Sequence, residues 1–220
     1  MAAARTSKTN PPAAAKAHRQ QKGTAERREA ILRAATKVFA SRGFHNASLV
    51  EIADEAGMTH SGVIHHFGTK EQLLIAVLAY RDDDDVVRFE GHKAPEGAAF
   101  LDHLVLTAKE NTRRPGIVQG YAVLSAESVT DDHPAQDYFR DRFTGLRTML
   151  THALDAVTAN ELPPAVIARA AQAIVATMDG LQVQWLLDPD VVDMPAALEL
   201  TIDAVVRQLS SLRTEARPRD

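Results

Sequence analysis

One short stretch of the sequence concentrates side chains that could read nucleic acid. Thr59, His60, Ser61, Gly62 and His65 lie close together in it. Hydroxyl and neutral imidazole groups can donate or accept hydrogen bonds, and a glycine allows a close approach of the backbone. Base edges in the DNA major groove carry a donor and acceptor pattern that differs for every base pair. A helix that presented these residues together would therefore be suited to sequence-specific DNA contacts.

Residues on either side of this stretch could contact the DNA backbone. Lys70 is predicted at the start of the next helix, where its ammonium group and the free backbone amides would meet a phosphate. Arg27, Arg28 and Ser48 precede the stretch, and we expect them near the same duplex. For any one of the basic residues, a solvated surface charge remains the alternative interpretation.

The histidines of this stretch could instead bind a metal ion. Helical spacing places His60 and His66 apart, and no cysteine or carboxylate completes a ligand set. The acidic run at 82–85 resembles a magnesium site only superficially, because successive side chains point around a helix and do not converge. We therefore expect no metal and no cofactor. Each histidine could still be an ordinary surface or core residue instead of a DNA contact.

The sequence shows no catalytic motif. It has no Gly-rich phosphate loop, no Gly-x-Ser-x-Gly elbow and no His-Glu-x-x-His pattern. The absence of cysteine excludes disulfides, thiolate zinc sites, iron–sulfur clusters and cysteine nucleophiles. An enzyme built on a helical bundle would need a convergent set of titratable residues, which the sequence does not display. We expect a protein that is not an enzyme.

Charge is distributed unevenly along the chain. Residues 1–80 carry 11 Lys and Arg against 6 Asp and Glu, whereas residues 81–220 carry 14 against 23. A small basic head on an acidic body favours polyanion binding that is confined to the head. No apolar run is long enough for a signal peptide or a membrane span, so we expect a cytoplasmic protein without membrane association.

Three helix starts in close succession would position the candidate DNA-binding residues. Ser48-Leu-Val-Glu51 and Thr69-Lys-Glu-Gln72 match the capping-box pattern, and Thr59 offers a further N-cap between them. Gly57 can adopt the left-handed conformation that a tight turn needs. The spacing predicts a helix-turn-helix whose second helix carries the polar residues named above.

The rest of the chain is predicted to be helical, and no strand pattern competes. Residues 1–22 lack apolar periodicity and are predicted to be disordered, and the first helix is predicted from Thr24 to Gly43. The later helices are predicted at 70–89, 98–112, 116–129, 134–158, 164–187 and 195–212. We expect an all-α fold with a basic arm at 1–22, a three-helix helix-turn-helix DNA-binding head at 23–69, a helical effector-binding and dimerisation body at 70–213 and a flexible tail at 214–220.

The N-terminal region of the sequence resembles the DNA-binding domain of TetR-type (TetR/AcrR) transcriptional regulators. The resemblance covers about residues 24–78, and its matching segments are 39–44, 48–59, 61–67 and 70–74. One position departs from the family pattern, because Ile64 stands where the family usually has a tyrosine whose hydroxyl contacts a phosphate. The resemblance thereby leaves one phosphate contact without its usual side chain.

The resemblance also implies an all-helical ligand-binding body whose last two helices pair with those of a second subunit as a four-helix bundle. Residues 178–189 are similar to the penultimate helix of some family members. A dimer would join two recognition helices and thereby gain affinity. The alternative is that the apolar stripes serve the chain's own core alone. The expected dimerisation residues are Ile174, Leu181, Leu198, Ile202, Val205 and Leu209.

The body is longer than a dimerisation bundle requires, so we expect a pocket for a small, largely apolar effector. Aromatic and other apolar side chains at helical spacing are the candidates, together with a few polar groups. Each of them could equally belong to the plain core. The candidate lining residues are Phe89, Phe100, His103, Tyr121, Leu124, Phe139, Phe143, Met178, Gln182 and Trp185.

The sequence therefore favours a homodimeric repressor that binds a palindromic operator in double-stranded DNA and is released by a small-molecule effector. The alternative is a non-enzymatic helix-turn-helix adaptor or activator that answers to a protein partner and holds no pocket. A ligand-dependent thermal shift would separate the two hypotheses.

Overall fold

Helices form all the regular structure in the part of the chain that the computed structural model describes, residues 13–88 and 95–216, with side chains over 23–81 and 95–215. The predicted all-helical fold is confirmed. The later helices also agree closely with the predicted ones. The helices are α1 (Ala13–Asn46), α2 (Leu49–Glu55), α3 (His60–Phe67), α4 (Lys70–Arg88), α5 (Ala99–Asn111), α6 (Pro115–Glu127), α7 (Gln136–Val157), α8 (Pro164–Leu187) and α9 (Met194–Ala216).

Helix α1 is longer than the sequence pattern indicates. It begins at Ala13 and not at Thr24, so residues 13–22 are helical where a disordered arm is predicted. These residues are mostly Ala, Lys, Gln and Arg, which have high helix propensity but supply no apolar stripe. Gly43 kinks the helix with φ 72° and ψ 175°, a conformation that glycine adopts without steric cost.

The predicted helix-turn-helix forms through local capping bonds. Ser48 Oγ accepts a hydrogen bond from the Glu51 amide at 3.1 Å, and Thr59 Oγ1 accepts one from the Gly62 amide at 3.1 Å. Between the two helices, Gly57 takes φ 63° and turns the chain. The expected N-caps of α2 and α3 are therefore present, and they fix where each short helix begins.

Helix α4 begins with a complete capping box. The Thr69 amide donates to Gln72 Oε1 at 3.1 Å, and the Gln72 amide donates to Thr69 Oγ1 at 3.2 Å. Gly68, just before this box, has φ 76°, and a Cβ there would lie 2.1 Å from Gln72 Oε1. The direction of α4 relative to α3 is thus set by Gly68, Thr69 and Gln72.

Buried side chains of the described residues form two hydrophobic cores, which hold the helices together. The first core belongs mainly to the head but also contains Tyr121 and Phe139 from α6 and α7. The second core joins α5, α7, α8 and α9 around residues such as Leu154 and Trp185. The first core therefore crosses from the head into the body, which means that the two parts share buried side chains.

Candidate DNA-binding site and its connection to the body

Helix α3 has one buried face and one exposed polar face. Val63 and Phe67 are buried in the first core and anchor the helix. The opposite face carries the polar residues singled out in the sequence, and Thr59 Oγ1 also lies 3.2 Å from Ser61 Oγ. The exposed members of that set are Thr59, His60, Ser61 and His65, with Gly62 partly exposed. The structure thus brings the candidate base-reading residues together on one accessible surface.

Arg28 attaches α1 to the C-terminal end of α3. Its Nη1 donates to the His66 carbonyl oxygen at 3.2 Å, and its guanidinium carbon lies 4.2 Å from the centroid of the Phe67 ring. These contacts orient the recognition helix from within the protein. Arg27, its neighbour, is exposed as Arg28 is. Because the Arg28 guanidinium is engaged in these contacts, Arg27 is the better candidate for a phosphate contact.

His66 differs from the exposed histidines of the same helix. Burial lowers the pKa of His66 below its usual value, and electrostatic interactions with His65, Arg27 and Arg28 lower it further. The imidazole is therefore neutral at physiological pH. The His66 side chain therefore adds no charge to the DNA-facing surface. It is also less exposed than the side chains of His60 and His65.

Lys70 stabilises the connection between α1 and α2. Its Nζ donates to the carbonyl oxygens of Phe44 and Ala47, each at 2.9 Å, and lies 3.4 Å from that of His45. The ammonium group also lies 4.4 Å from the Phe44 ring centroid. No sequence pattern indicated this role, because the partners are more than twenty residues away. A side-chain contact from Lys70 to a phosphate stays a prediction, and it would compete with these bonds.

Two cations of the head, Lys37 and Arg42, form ion pairs with acids of α2. Lys37 Nζ lies 2.7 Å from Glu55 Oε1, and Arg42 Nε lies 3.2 Å from Glu51 Oε1. Both pairs are exposed and contribute little stability. They nevertheless reduce the positive charge that the described part of the head can offer to DNA.

A second polar junction joins the kink of α1 to the body. The Phe44 amide donates to Glu127 Oε2 at 2.6 Å, across 83 residues of sequence. A Cβ on Gly43 would lie 2.0 Å from Glu127 Oε1, so only glycine leaves room for this carboxylate. Glu127 is the last residue of α6. Helix α6 of the body is thereby tied directly to the end of the head's first helix.

His133 closes the same junction on its buried side. Its Nδ1 accepts from the Ala135 amide at 3.2 Å, so the proton of the neutral ring resides on Nε2, 3.9 Å from Glu127 Oε2. Burial lowers the pKa of His133, although Glu127 opposes that shift. The ring also packs against His45 of the head, with centroids 5.4 Å apart.

The expected effector residues do not surround a single cavity. Tyr121 and Leu124 line a cavity of about 600 Å³ between α1, α4 and α6. Met178 and Gln182 line a separate space of about 20 Å³. Phe89 lies outside the described residues. The others belong to the cores or pack against them: Phe100 and Trp185 in the second, Phe139 in the first, Phe143 against both, and His103 stacked on Phe100 with ring centroids 6.1 Å apart.

Most of the expected dimerisation residues lie in the chain's own core. Ile174, Leu198, Ile202 and Leu209 are at most 5% exposed, whereas Leu181 and Val205 are partly exposed. Other apolar side chains of α8 and α9 face outward instead. These are Val183 (49% exposed), Leu187 (82%) and Leu200 (65%). A second subunit could contact this outer set together with the partly exposed Leu181 and Val205, whereas the other four expected residues are already buried.

The described residues contain no group of three or more His, Cys, Asp and Glu side chains placed to hold a metal ion. None of the helices searched in the described part of the chain is long and apolar enough to cross a membrane.

Comparison with known proteins gives a consistent result for both parts of the chain. Residues 31–77 match the family described as bacterial regulatory proteins of the TetR family, and residues 107–210 match the BetI-type transcriptional repressor C-terminal family. The transcriptional regulator TtgR of Pseudomonas putida is 31% identical over 195 residues, which cover 81% of this chain and 89% of TtgR.

Solved structures share the fold. A TetR-family regulator from a Rhodococcus species superposes with a TM-score of 0.64 at 25% identity, over 83% of this chain and 99% of that one. SmeT in complex with triclosan gives a TM-score of 0.66 at 18% identity, over 83% of this chain and 91% of SmeT. The chain belongs to the TetR family of transcriptional regulators, as its helix-turn-helix head and helical body indicate.

Proposed function

We propose that this protein is a homodimeric repressor that binds a palindromic operator and is released from it by a small-molecule effector. The observation that carries the proposal is the exposed polar face of α3, on which Ser61 and His65 stand opposite the buried Val63 and Phe67. A short helix of this kind fits the major groove, where donors and acceptors identify base pairs. The basic head supplies phosphate contacts.

The outward-facing apolar residues of the last two helices support the proposed dimer. Val183 and Leu187 are one helical turn apart on α8, so they form a stripe on one face, and Leu200 adds to the apolar surface on α9. Burying such a stripe against a second copy would remove apolar area from water. Two heads on one dimer would then bind two half-sites of the operator together.

Control by a small molecule fits the connection between head and body. The SmeT structure, which has the same fold, is a complex with triclosan. In this chain, the hydrogen bond between Phe44 and Glu127 joins the head to α6, which also lines a cavity of about 600 Å³. A coupling of about 1–3 kcal/mol between effector and operator would change operator affinity about 5- to 150-fold.

Selection of bound sequences from a random DNA pool, repeated at several salt concentrations, tests the proposal. Phosphate contacts weaken with salt while base readout persists, so specific binding should survive as an enriched palindromic consensus. Ser61→Ala and His65→Ala should relax the consensus at defined positions, whereas His152→Ala, an exposed histidine on α7, should leave it unchanged. Absence of enrichment by a folded protein would contradict the proposal and favour control by a protein partner.

A further inference from the structure

The junction between the head and the body contains a buried imidazole with one unused donor. His133 lies between α6 and α7, and its side chain is fully buried. Its Nδ1 accepts from the Ala135 amide at 3.2 Å, so the neutral ring carries its proton on Nε2. Among the described residues Nε2 has no hydrogen-bond partner, and Glu127 Oε2, at 3.9 Å, is too far away to accept. A buried donor without a partner is rare in folded proteins, which sets His133 apart from an ordinary core residue.

The His133 ring packs against the part of the head that α6 holds. Its centroid lies 5.3 Å from that of Phe44 and 5.4 Å from that of His45, in edge-on contacts. The Phe44 amide donates to Glu127 Oε2 at 2.6 Å, the same oxygen that His133 Nε2 approaches. A displacement of the ring therefore changes the surroundings of the hydrogen bond that joins head and body.

The observed arrangement fits a neutral ring and not a charged one. A protonated imidazole is a donor at both nitrogens, so its Nδ1 could no longer accept from the Ala135 amide, and the two N–H groups would oppose each other. The charge would also be enclosed without contact to water, which is unfavourable. The Glu127 side chain is 24% exposed, so its carboxylate can follow a charged ring toward water. Proton uptake is thus coupled to a movement of the ring away from Ala135.

The charges around the ring favour its neutral form on balance. Burial has the largest effect and lowers the pKa of His133, Glu127 of α6 raises that pKa, and His45 of α1 lowers it again. From α4, Lys70 contacts the same aromatic group, with Nζ 4.4 Å from the Phe44 ring centroid. The acids of the flanking segment and of the first turn of α7 are exposed, so water screens them. These acids are Asp131, Asp132 and Asp137.

We propose that Phe44, Glu127 and His133 form a proton-sensitive junction, which is closed while His133 is neutral and opens when the imidazole takes up a proton at mildly acidic pH. In the open form the ring reaches water, and the Phe44 amide separates from Glu127. The end of α1 is then no longer tied to α6, so control of the head through α6 weakens. The opening itself does not depend on the proposed function.

The size of the effect follows from proton linkage. An imidazole in water has a pKa of about 6.5, so at about pH 5.5 an exposed His133 is protonated about ten times as often as it is neutral. The closed form resists protonation, because burial lowers the pKa of His133. Since the open form binds the proton more tightly, acidification from about pH 7.5 to about pH 5.5 raises the ratio of open to closed junction by up to about tenfold.

Hydrogen exchange at the Phe44 amide tests the proposal. This amide exchanges when its bond to Glu127 is broken, so its protection measures how often the junction opens. NMR measurements on the full chain at about pH 7.5 and about pH 5.5, corrected for the intrinsic pH dependence of exchange, should show protection falling by up to about tenfold. The amide of Ile174, in the second core, reports global unfolding and should exchange more slowly than that of Phe44 at acidic pH.

Two matched substitutions isolate the imidazole. His133→Asn keeps an acceptor for the Ala135 amide but cannot take up a proton, so the pH dependence of Phe44 protection should disappear. His152→Asn changes an exposed histidine of α7 and should leave that pH dependence intact. Far-UV circular dichroism establishes that each variant is folded.

Several results would overturn the inference. Phe44 protection that changed by less than about twofold with pH would show that proton uptake does not open the junction. A pH dependence that persisted in folded His133→Asn would assign the effect to another group, such as His45. Equal exchange at Phe44 and Ile174 would mean that the whole chain unfolds and not the junction alone.

Direct NMR titration of the His133 ring in the unmodified chain covers the case in which His133→Asn does not fold. A ring that became charged only as Phe44 lost its protection would support the inference. A ring that took up its proton at about pH 6.5 or above while Phe44 stayed protected would mean that Glu127 stabilises a charged, closed junction, and this result would overturn the inference.

The exchange experiment uses no DNA, so its outcome is separate from that of the proposed function. A chain that selects no operator but shows the acid-sensitive Phe44 amide retains this inference and loses the proposed function. A chain that selects an operator but keeps Phe44 equally protected at both pH values retains the proposed function and loses this inference.

Discussion

Replacing Gly43 by alanine tests the junction between the head and the body. Gly43 has φ 72°, and its missing side chain leaves space for the Glu127 carboxylate that accepts from the Phe44 amide. A Cβ at this position would lie 2.0 Å from Glu127 Oε1, well inside contact distance. Alanine therefore adds backbone strain and also displaces the carboxylate from its hydrogen bond.

The two effects have separate magnitudes. With φ 72° and ψ 175°, Gly43 lies in a region of backbone conformation that is essentially restricted to glycine, and any other residue there costs about 1–3 kcal/mol. Loss of a hydrogen bond to a charged acceptor costs about 1.5–3 kcal/mol. We therefore expect Gly43→Ala to lower the free energy of unfolding by about 3 kcal/mol, which corresponds to a fall in Tm of roughly 6–12 °C for a chain of this length. Glu127→Ala removes the hydrogen bond but not the glycine, so its effect should be smaller.

Thermal and urea unfolding of the purified variants measures these changes. Gly145→Ala is the matched control, because Gly145 lies within α7 and a Cβ there meets nothing within 4 Å. That substitution should leave stability unchanged or raise it by up to about 1 kcal/mol. If Gly43→Ala melted at the same temperature as Gly145→Ala, the reasoning about this junction would be refuted.

Three further predictions concern the dimer, pH and the DNA contact at Ile64. Leu187→Glu places a charge on the outer stripe of α8 and should convert the dimer to a monomer in sedimentation experiments. Val129→Glu, at a similarly exposed site between α6 and α7, should leave the dimer intact. A Leu187→Glu variant that remained dimeric would contradict the assigned surface. Burial raises the pKa of Asp179 to about 6, so the folded state binds the carboxyl proton more tightly than the unfolded state does. The stability that this proton contributes is therefore lost as the pH rises from about 4 through 6. Asp179→Asn should abolish this part of the pH dependence of the unfolding free energy, measured by urea unfolding. An unchanged pH profile in the variant would contradict the assignment to Asp179. Ile64, 42% exposed on α3, should gain a phosphate contact as Ile64→Tyr and bind operator about 2- to 10-fold more tightly. The added group is uncharged, so the salt dependence should stay the same, and a weaker complex would argue against a phosphate near this position.

Local signals in the sequence predict the helix-turn-helix well. The caps at Ser48, Thr59 and Thr69 depend on residues three positions away, and all three form as the spacing indicates. The exposed face of α3 follows from the burial of Val63. Short-range hydrogen bonding and helical periodicity are sufficient for these features.

Contacts between distant residues could not be predicted in this way. The Glu127 carboxylate meets the Phe44 amide through the packing of α6 on α1, and no local pattern marks that pair. Periodicity shows that Ile202 lies on an apolar stripe, but it does not show that this stripe faces inward while Leu200 faces outward. The candidate effector residues had the same weakness, because an aromatic side chain such as Trp185 fills a core as readily as it lines a pocket.

The spacing of the two half-sites tests the central claim of a two-fold dimer that reads DNA through α3. Fluorescence anisotropy would measure the affinity of the full chain for its selected operator and for the same duplex with roughly five base pairs, half a helical turn, inserted at the centre. The insertion moves one half-site to the opposite face of the duplex, so a dimer with two linked recognition helices should bind at least about tenfold more weakly. Equal affinity for the two duplexes would mean that the heads bind independently and would contradict the claim.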